Sequence, residues 1–167
     1  MIEDRKFKLS VFLISAFAFL SVPAVACTIG EEMQAELPFN ATDISNRDRL
    51  AIADIVIEAK KWPDVEIQAV VIAGAYKREQ NVERLKEIRA ENVKAYLREL
   101  GIKDDNILTD RRTFTDEMVA RNSYGALTVH QVVVELTPIC KGSCAWLCND
   151  SRVTPKTRAI RACYEPI

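Results

Sequence analysis

The sequence predicts an α+β fold, a two-layer α/β sandwich in which two helices pack on one face of a sheet in the order β-α-β-α-β-β. Two segments carry this prediction. Residues 65–73 (VEIQAVVIA) begin with alternation and end as an apolar run, which is typical of a central strand covered on at least one face. Residues 81–100 repeat apolar side chains every three or four positions, which predicts an amphipathic helix.

The first half of the chain supplies one short strand and one helix before that central strand. Residues 37–39 (LPF) are predicted as the strand. Ser45, followed by Asp48, resembles a capping box and predicts the start of the helix. Pro63 predicts its end, because a proline disfavours helical geometry in the residue before it. The apolar stripe of this helix comprises Leu50, Ala53, Val56 and Ile57.

The second half of the chain is predicted to complete the sandwich and then to end in a segment of different composition. Gly101 predicts a left-handed C-cap for the long helix, with Ile102 making the usual hydrophobic contact. A short strand is predicted at residues 107–109 and the last strand at residues 129–137, with a long polar connection between them. A disulfide-rich C-terminal extension, residues 138–167, follows the sandwich.

Residues 1–26 have the three parts of a secretion signal. A basic start is followed by the uncharged and mostly apolar residues 11–22 and by residues 24–26 (AVA), with small residues at both positions that a signal peptidase reads. The alternative is a transmembrane anchor, which needs about 20 apolar residues. The segment is shorter than that and contains Pro23. The sequence therefore predicts a signal peptide and an exported protein.

Cys27 directly follows the signal, and residues 24–27 (AVAC) resemble the box at which bacterial lipoproteins are acylated. The chain has five cysteines, so acylation of Cys27 would leave an even number for disulfides. Cleavage by the ordinary signal peptidase is the alternative. We expect lipidation at Cys27, which anchors the protein to the outer membrane on its periplasmic side. Residues 27–36 would then be a polar tether that reaches about 30 Å when extended.

The composition argues against several classes of function. The 23 basic and 24 acidic residues give a net charge of −1, so there is no general attraction to nucleic acid. Neither a nucleophile elbow nor a phosphate-binding glycine loop appears in the sequence, and the single His130 lies in a predicted strand. We therefore expect neither an enzyme nor a cofactor.

Residues 89–102 (RAENVKAYLRELGI), with the strand that ends at residues 72–74 (IAG), resemble the OmpA-like family of the OmpA C-terminal, Pal and MotB type. The resemblance covers roughly residues 37–137. It implies the sandwich fold described above and a protein that binds peptidoglycan in the bacterial periplasm.

The resemblance also implies a set of ligand-binding positions. In the family, an aspartate pairs with the ammonium of diaminopimelate in the wall peptide, an arginine holds its carboxylate, and an asparagine orders the loop. Arg89 matches the arginine, whose bidentate geometry would make the contact strong. Asn81 lies one residue before the asparagine position. The ligand-binding residues expected from this reasoning are Lys77, Arg78, Asn81 and Arg89.

Several positions depart from the family pattern. Lys77 replaces the aspartate, which reverses the charge that would meet the ligand's ammonium. Val82 occupies the asparagine position, and His130-Gln131 replaces the arginines that commonly open the last strand. Lys77 and its neighbours could instead bind free carboxylates of peptidoglycan. The alternatives are a helix-surface pairing with a nearby acid for Arg89, and exposed loop charges that contribute little for Lys77 and Arg78.

The tail contains four cysteines at positions 140, 144, 148 and 163. Cysteines of exported proteins normally oxidise, so we expect two disulfides among Cys140, Cys144, Cys148 and Cys163, in a pairing that the sequence does not choose. The alternative is a zinc site. The tail is also basic, so it could contact an anionic polymer, lipid headgroups or an acidic protein, or it could be a rigid cap over a sheet edge.

The sequence thus predicts a cell-envelope lipoprotein whose OmpA-like domain associates non-covalently with peptidoglycan through a degenerate diaminopimelate site. The alternative is a protein-binding module of the periplasm, such as an assembly factor or an inhibitor, that has lost wall binding.

Overall fold

A four-stranded sheet covered by two helices forms the centre of the molecule. The computed structural model describes residues 27–121, 127–153 and 158–160. The sheet has the strand order β2-β7-β3-β4, with β2 at Glu31–Ala35, β3 at Glu66–Tyr76, β4 at Ile107–Phe114 and β7 at Val132–Ile139. The helices are α1 at Asn46–Ala59 and α2 at Val82–Glu99. The predicted α+β fold with two layers is therefore confirmed.

Two smaller sheets and three 3₁₀ turns complete the described part of the chain. β1 at Cys27–Ile29 pairs with β8 at Arg158–Ile160, and β5 at Ala120–Arg121 pairs with β6 at Leu127–Thr128. The 3₁₀ turns are at Asp104–Asn106, Asp116–Met118 and Ala145–Asn149. Neither α1 nor α2 is long and apolar enough to cross a membrane. The predicted leader, residues 1–26, lies outside the described residues.

The central crossover agrees with the prediction, but the first one does not. β3 and β4 are parallel neighbours joined by α2. β2 and β3 are not neighbours, because β7 lies between them and is antiparallel to both. β7 buries Val132, Val134 and Leu136 completely. A strand of this kind is best placed inside a sheet, whereas an edge tolerates the polar sequence EEMQA of β2.

The first strand of the sheet lies earlier than predicted. The strand predicted at residues 37–39 is wrong, because β2 at Glu31–Ala35 pairs with β7 instead. Pro38 has no N–H to donate, and its carbonyl oxygen accepts a turn bond from Ala41 N at 2.9 Å. Most of the segment predicted as a tether thus belongs to β1 and β2.

The predicted caps at Ser45 and Gly101 are confirmed, whereas α1 ends at Ala59, before the predicted stop at Pro63. Asp48 N donates to Ser45 Oγ at 3.2 Å and Ser45 Oγ donates to Asp48 Oδ2 at 2.6 Å, so the start of α1 is capped. After α2, Gly101 has a φ of 88°, and Ile102 N donates to Leu97 O at 3.0 Å. This is the Schellman arrangement that a glycine favours.

The apolar face of α1 differs from the predicted stripe. Ile52, Val56 and Ala59 are buried against the sheet, whereas Leu50 and Ile57 are exposed. The predicted helical spacing of the apolar residues was correct, but the residues that are buried in the core are partly different ones.

The tail packs against the start of the described chain. Leu147 and Val153 are buried in the same apolar cluster as Ile29. The structure contains a disulfide between Cys140 and Cys144. Cys148 is disulfide-bonded as well. Cys163, the fourth cysteine of the predicted disulfides, lies outside the described residues.

Candidate functional site

The predicted ligand-binding residues lie around the turn that joins the end of β3 to the start of α2. Glu79 N donates to Tyr76 O at 2.8 Å, so the chain reverses within three residues of the strand's end. Asn81 has a φ of 50°, a left-handed conformation that an asparagine tolerates. The turn directs the Glu79 side chain inward, and Glu79 is 6% exposed.

Arg89, the position carried over from the family, is completely buried and paired with Glu79. Arg89 Nη2 lies 2.6 Å from Glu79 Oε1, and Nη1 lies 3.0 Å from Oε2. Both side chains have 0% exposure. This is the bidentate geometry in which an arginine binds a carboxylate most strongly. The carboxylate that Arg89 holds is therefore one that the chain itself supplies.

The remaining polar atoms of the pair are also satisfied. Arg89 Nε donates to Ala41 O and Nη1 donates to Gly74 O, each at 2.8 Å. Glu79 accepts from the backbone N–H groups of Asn40 and Tyr76, each at 2.8 Å. The pair thereby joins three segments of the fold: the loop before α1, the end of β3 and the middle of α2.

These contacts fix the charge state of Glu79. Burial raises the pKa of its carboxyl group, but the hydrogen bonds from Arg89 and from the two backbone amides lower it by more. The pKa of Glu79 therefore lies below its usual value. The pair is an ionised carboxylate and a guanidinium at neutral pH.

Lys77 and Arg78 lie outside this buried pair, on the surface. Lys77 Nζ is 2.9 Å and Arg78 Nη2 is 3.0 Å from Asp116 Oδ2. The Tyr76 hydroxyl donates to the same carboxylate. These three contacts, Tyr76 and Lys77 foremost, hold the pKa of Asp116 well below its usual range. The structure thus separates Arg89 from the two surface cations.

Asn81, the residue that the resemblance offers for ordering the loop, lies directly before α2. Its side chain makes no capping hydrogen bond to α2. Asn40 orders the turn instead, because its Oδ1 accepts from Gln80 N at 2.7 Å while its own N donates to Glu79. Asn40 also has a positive φ, 63°.

His130 and Gln131, which stand where the family commonly has arginines, lie just before β7. Gln131 is buried, and its side chain accepts from Leu37 N at 2.7 Å and donates to Leu37 O at 3.0 Å. His130 is exposed, with Nδ1 3.9 Å from Glu36 Oε1. Neither residue belongs to the turn that holds Glu79.

Sequence reasoning missed three residues of this region: Glu79, Asn40 and Asp116. A signal for Glu79 exists, since an acid in the turn before an arginine-bearing helix is a candidate partner. The contacts of Asn40 and Asp116 with the turn span 38 to 40 positions, which no local pattern reveals. Within the described residues, no group of three or more His, Cys, Asp or Glu side chains is placed to hold a metal ion.

Comparison with known proteins gives likenesses in structure alone. No protein-family profile matches the chain, and no curated protein matches it. The OmpA-like domain of FopA1 from Francisella tularensis subsp. tularensis SCHU S4 is 15% identical, with a TM-score of 0.48 over 74% of this chain and 81% of that one. The peptidoglycan-associated lipoprotein from Burkholderia pseudomallei is 13% identical, with a TM-score of 0.43 over 68% of this chain and 89% of that one.

Proposed function

We propose that this chain is an exported protein of the bacterial envelope whose divergent OmpA-like domain acts as a protein-binding module. In this proposal, Arg89 has become a structural residue and no longer holds the wall peptide. The complete burial of Arg89 against Glu79 supports the loss of wall binding at this position.

The energetics of the pair favour this proposal over binding at Arg89. A ligand carboxylate could reach Arg89 only if Glu79 left it. Breaking a buried pair by removing one partner costs about 3–5 kcal/mol. The ligand would also bring an ammonium group toward Lys77, where the family has an acid. A competing carboxylate has no evident advantage over Glu79, which is already in place and bonded to two backbone amides.

Non-covalent association with peptidoglycan is the second candidate, at a different position. Arg78 is 63% and Lys77 is 43% exposed, and both share the single carboxylate of Asp116. Glu117 also lies near Lys77, so the cluster has no net charge, and the free carboxylates of the wall would have to exchange with these two acids. Such contacts are weak and sensitive to salt, because exposed ion pairs are well solvated.

Lipidation of Cys27 belongs to the same proposal. β1 begins at Cys27, so an acyl anchor there would hold the fold close to the outer membrane without the polar tether that the sequence suggested. Mass spectrometry of the N-terminal peptide from the native host tests this. A mass increase by acyl chains, lost in Cys27→Ser, is expected, whereas an unmodified N-terminus at residue 27 would contradict it.

The two candidates are separated by one pair of experiments on the chain without residues 1–26. We expect a pull-down from envelope extract to recover one protein in stoichiometric amount. We expect co-sedimentation with purified peptidoglycan to be no greater than for an unrelated control protein. Lys77→Asp restores the acid that the family has at this position. It should not increase co-sedimentation, because Glu79 still occupies the guanidinium of Arg89.

Sedimentation of the unmodified chain would contradict the leading proposal. The second candidate would then predict that Lys77→Gln combined with Arg78→Gln abolishes the sedimentation and that added salt weakens it. Lys61→Gln is the matched control, because Lys61 is an exposed cation paired with Glu58 on another part of the surface.

A further inference from the structure

A cleft opens at the opposite end of β3 from the Glu79 turn. It has a volume of about 260 Å³ and lies where α1 ends, α2 ends and β3 begins. β3 runs from Glu66, which lines the cleft, to Tyr76 beside the turn. At roughly 3.3 Å per residue, the two regions are about 30 Å apart. The cleft is therefore independent of the residues that the proposed function concerns.

Trp62, one of the residues that line the cleft, has an indole hydrogen-bond donor that is not used. Trp62 is 4% exposed and lines the cleft. Its Nε1–H is covered and has no acceptor among the residues that the structure describes. Buried donors are normally satisfied, and leaving one unsatisfied costs free energy. A ligand oxygen that reached this N–H would remove that cost.

The outer wall of the cleft is the side chain of Lys60. It crosses from the end of α1 to the end of α2, where Nζ donates to Leu100 O at 2.6 Å. Gly101 allows this approach, since a Cβ there would lie 3.2 Å from Lys60 Nζ. Lys60 is exposed and long, so it can swing to admit a ligand to Trp62 while keeping its ammonium at the mouth.

The other polar groups of the cleft leave it with a net positive charge. Lys103 pairs with Glu66, and Asn106 Nδ2 donates to the second oxygen of Glu66 at 3.0 Å. The carboxylate of Glu66 is thus fully engaged by these two residues. Lys60, whose described acceptor is a backbone carbonyl, provides the charge that no lining acid neutralises. Apolar surface is contributed by Ala59, Val65, Ile67 and Ile102.

A second, larger cleft adjoins the first across Val65 and Glu66, which line both. It has a volume of about 420 Å³ and is bordered by Lys141 and by the disulfide-bonded Cys140. Trp146, which is 45% exposed, forms part of its wall. A ligand longer than the first cleft could continue along this surface.

We propose that the Trp62 cleft binds a carboxylate that carries a short apolar group. The carboxylate accepts from Trp62 Nε1–H and from the ammonium of Lys60, and the apolar group packs on Val65 and Ile102. The same chemistry is presented by a free small acid and by the C-terminus of a peptide. A peptide would in addition extend past Val65 to Trp146.

Nuclear magnetic resonance of the two indole N–H groups tests this directly, because the chain has only two tryptophans. The probes are N-acetyl-alanine, tri-alanine and the C-terminal amide of each, added to the ¹⁵N-labelled chain without residues 1–26. We expect both acids to move the Trp62 Nε1–H resonance saturably and neither amide to do so. Movement of Trp146 by tri-alanine alone would identify a peptide terminus, and its absence would identify a free acid.

Substitutions of residues in the cleft test where the acid binds. Trp62→Phe keeps the aromatic ring but removes the N–H, and should weaken binding about tenfold or more, measured on the amide of Gly101. Lys60→Met should weaken it several-fold. Lys61→Met is the control and should leave binding unchanged. The proposal is overturned if the Trp62 resonance does not move when the acid is added up to about 10 mM, a concentration above the dissociation constants of weak ligands. It is also overturned if an amide moves the resonance as much as the corresponding acid does.

Discussion

At the scale of single residues, the Arg89–Glu79 pair meets the condition under which a buried ion pair is tolerated. Charges removed from water are costly unless each of their polar atoms has a partner. Arg89 and Glu79 bond each other twice, and every further bond goes to a backbone group of Asn40, Ala41, Gly74 or Tyr76. Arg89 therefore contributes to the fold through the same bidentate contact that the family resemblance assigned to ligand binding.

The first prediction concerns the removal of one partner. Glu79→Ala leaves the Arg89 guanidinium buried without a counter-charge and should lower the free energy of unfolding by about 3–5 kcal/mol. Urea denaturation followed by circular dichroism measures this. Glu87→Ala is the control, because Glu87 pairs with Arg84 on the exposed face of α2, the helix that carries Arg89, and should matter little. Equal small losses for the two variants would show that Arg89 does not depend on Glu79.

The second prediction concerns pH. The pKa of Glu79 is lower in the folded chain than its usual value near 4.5. Its stabilising contribution is thus complete above that pH and is lost as the pH falls through the folded pKa. The difference in unfolding free energy between the unmodified chain and Glu79→Gln should therefore shrink as the pH falls from 5 toward 3. A difference that stays constant over this range would contradict an ionised Glu79.

At the scale of elements, the strand β3 continues through Gly74 to Tyr76, and Phe114 of β4 covers Gly74. A Cβ built on Gly74 would lie 1.8 Å from Phe114 Cε2, closer than real contacts allow. The sequence predicted that the glycine would end the strand. The structure instead uses it as the place where an aromatic ring crosses the backbone, two residues before the turn that carries Glu79.

The third prediction is a double-mutant cycle on this contact. Gly74→Ala should lower the free energy of unfolding by about 1–3 kcal/mol, because the ring must move. In a Phe114→Leu background the same substitution should cost less, since the shorter side chain leaves room for a methyl group. Denaturation of the three variants measures the coupling. Additive losses would mean that the ring does not limit position 74.

The sequence predicted the helices well because helix signals are local. It could not predict the features that depend on contacts between distant positions. The caps at Ser45 and Gly101 were predicted because capping depends on neighbours within a few positions. The first strand was placed wrongly, because Glu31–Ala35 is a strand only through its pairing with Val132–Leu136, about a hundred positions away. The same limit hid the role of Glu79. An acid in the turn was visible, but its inward direction depends on Asn40 and on the end of β3.

At the scale of the whole molecule, the sheet separates two regions of different character. One end of β3 carries the closed Arg89–Glu79 pair, and the other end carries the open cleft beside Trp62. The tail lies at the second end, where Cys140 borders the adjoining cleft and Leu147 joins the core. Residues 138–153 of the tail are thus part of the folded unit and form a wall of that surface.

The fourth prediction tests how much the Cys140–Cys144 bond contributes to the molecule. The two residues are only four positions apart, so the loop that the bond closes is short. Replacing both with serine should lower the free energy of unfolding by about 2 kcal/mol, the small end of the usual range. Thermal or urea denaturation measures the loss. An unchanged free energy would mean that packing alone holds this part of the tail.

The central question is whether Arg89 is free to bind a wall peptide. The most direct probe is the resonance of Arg89 Nε–H, the group that donates to Ala41 O. A soluble wall peptide containing diaminopimelate is titrated into the ¹⁵N-labelled chain. We expect the Arg89 Nε–H resonance to stay unmoved and slow to exchange with solvent, because Glu79 holds the guanidinium. A saturable movement of that resonance would show that the wall peptide displaces Glu79, and would contradict a closed site.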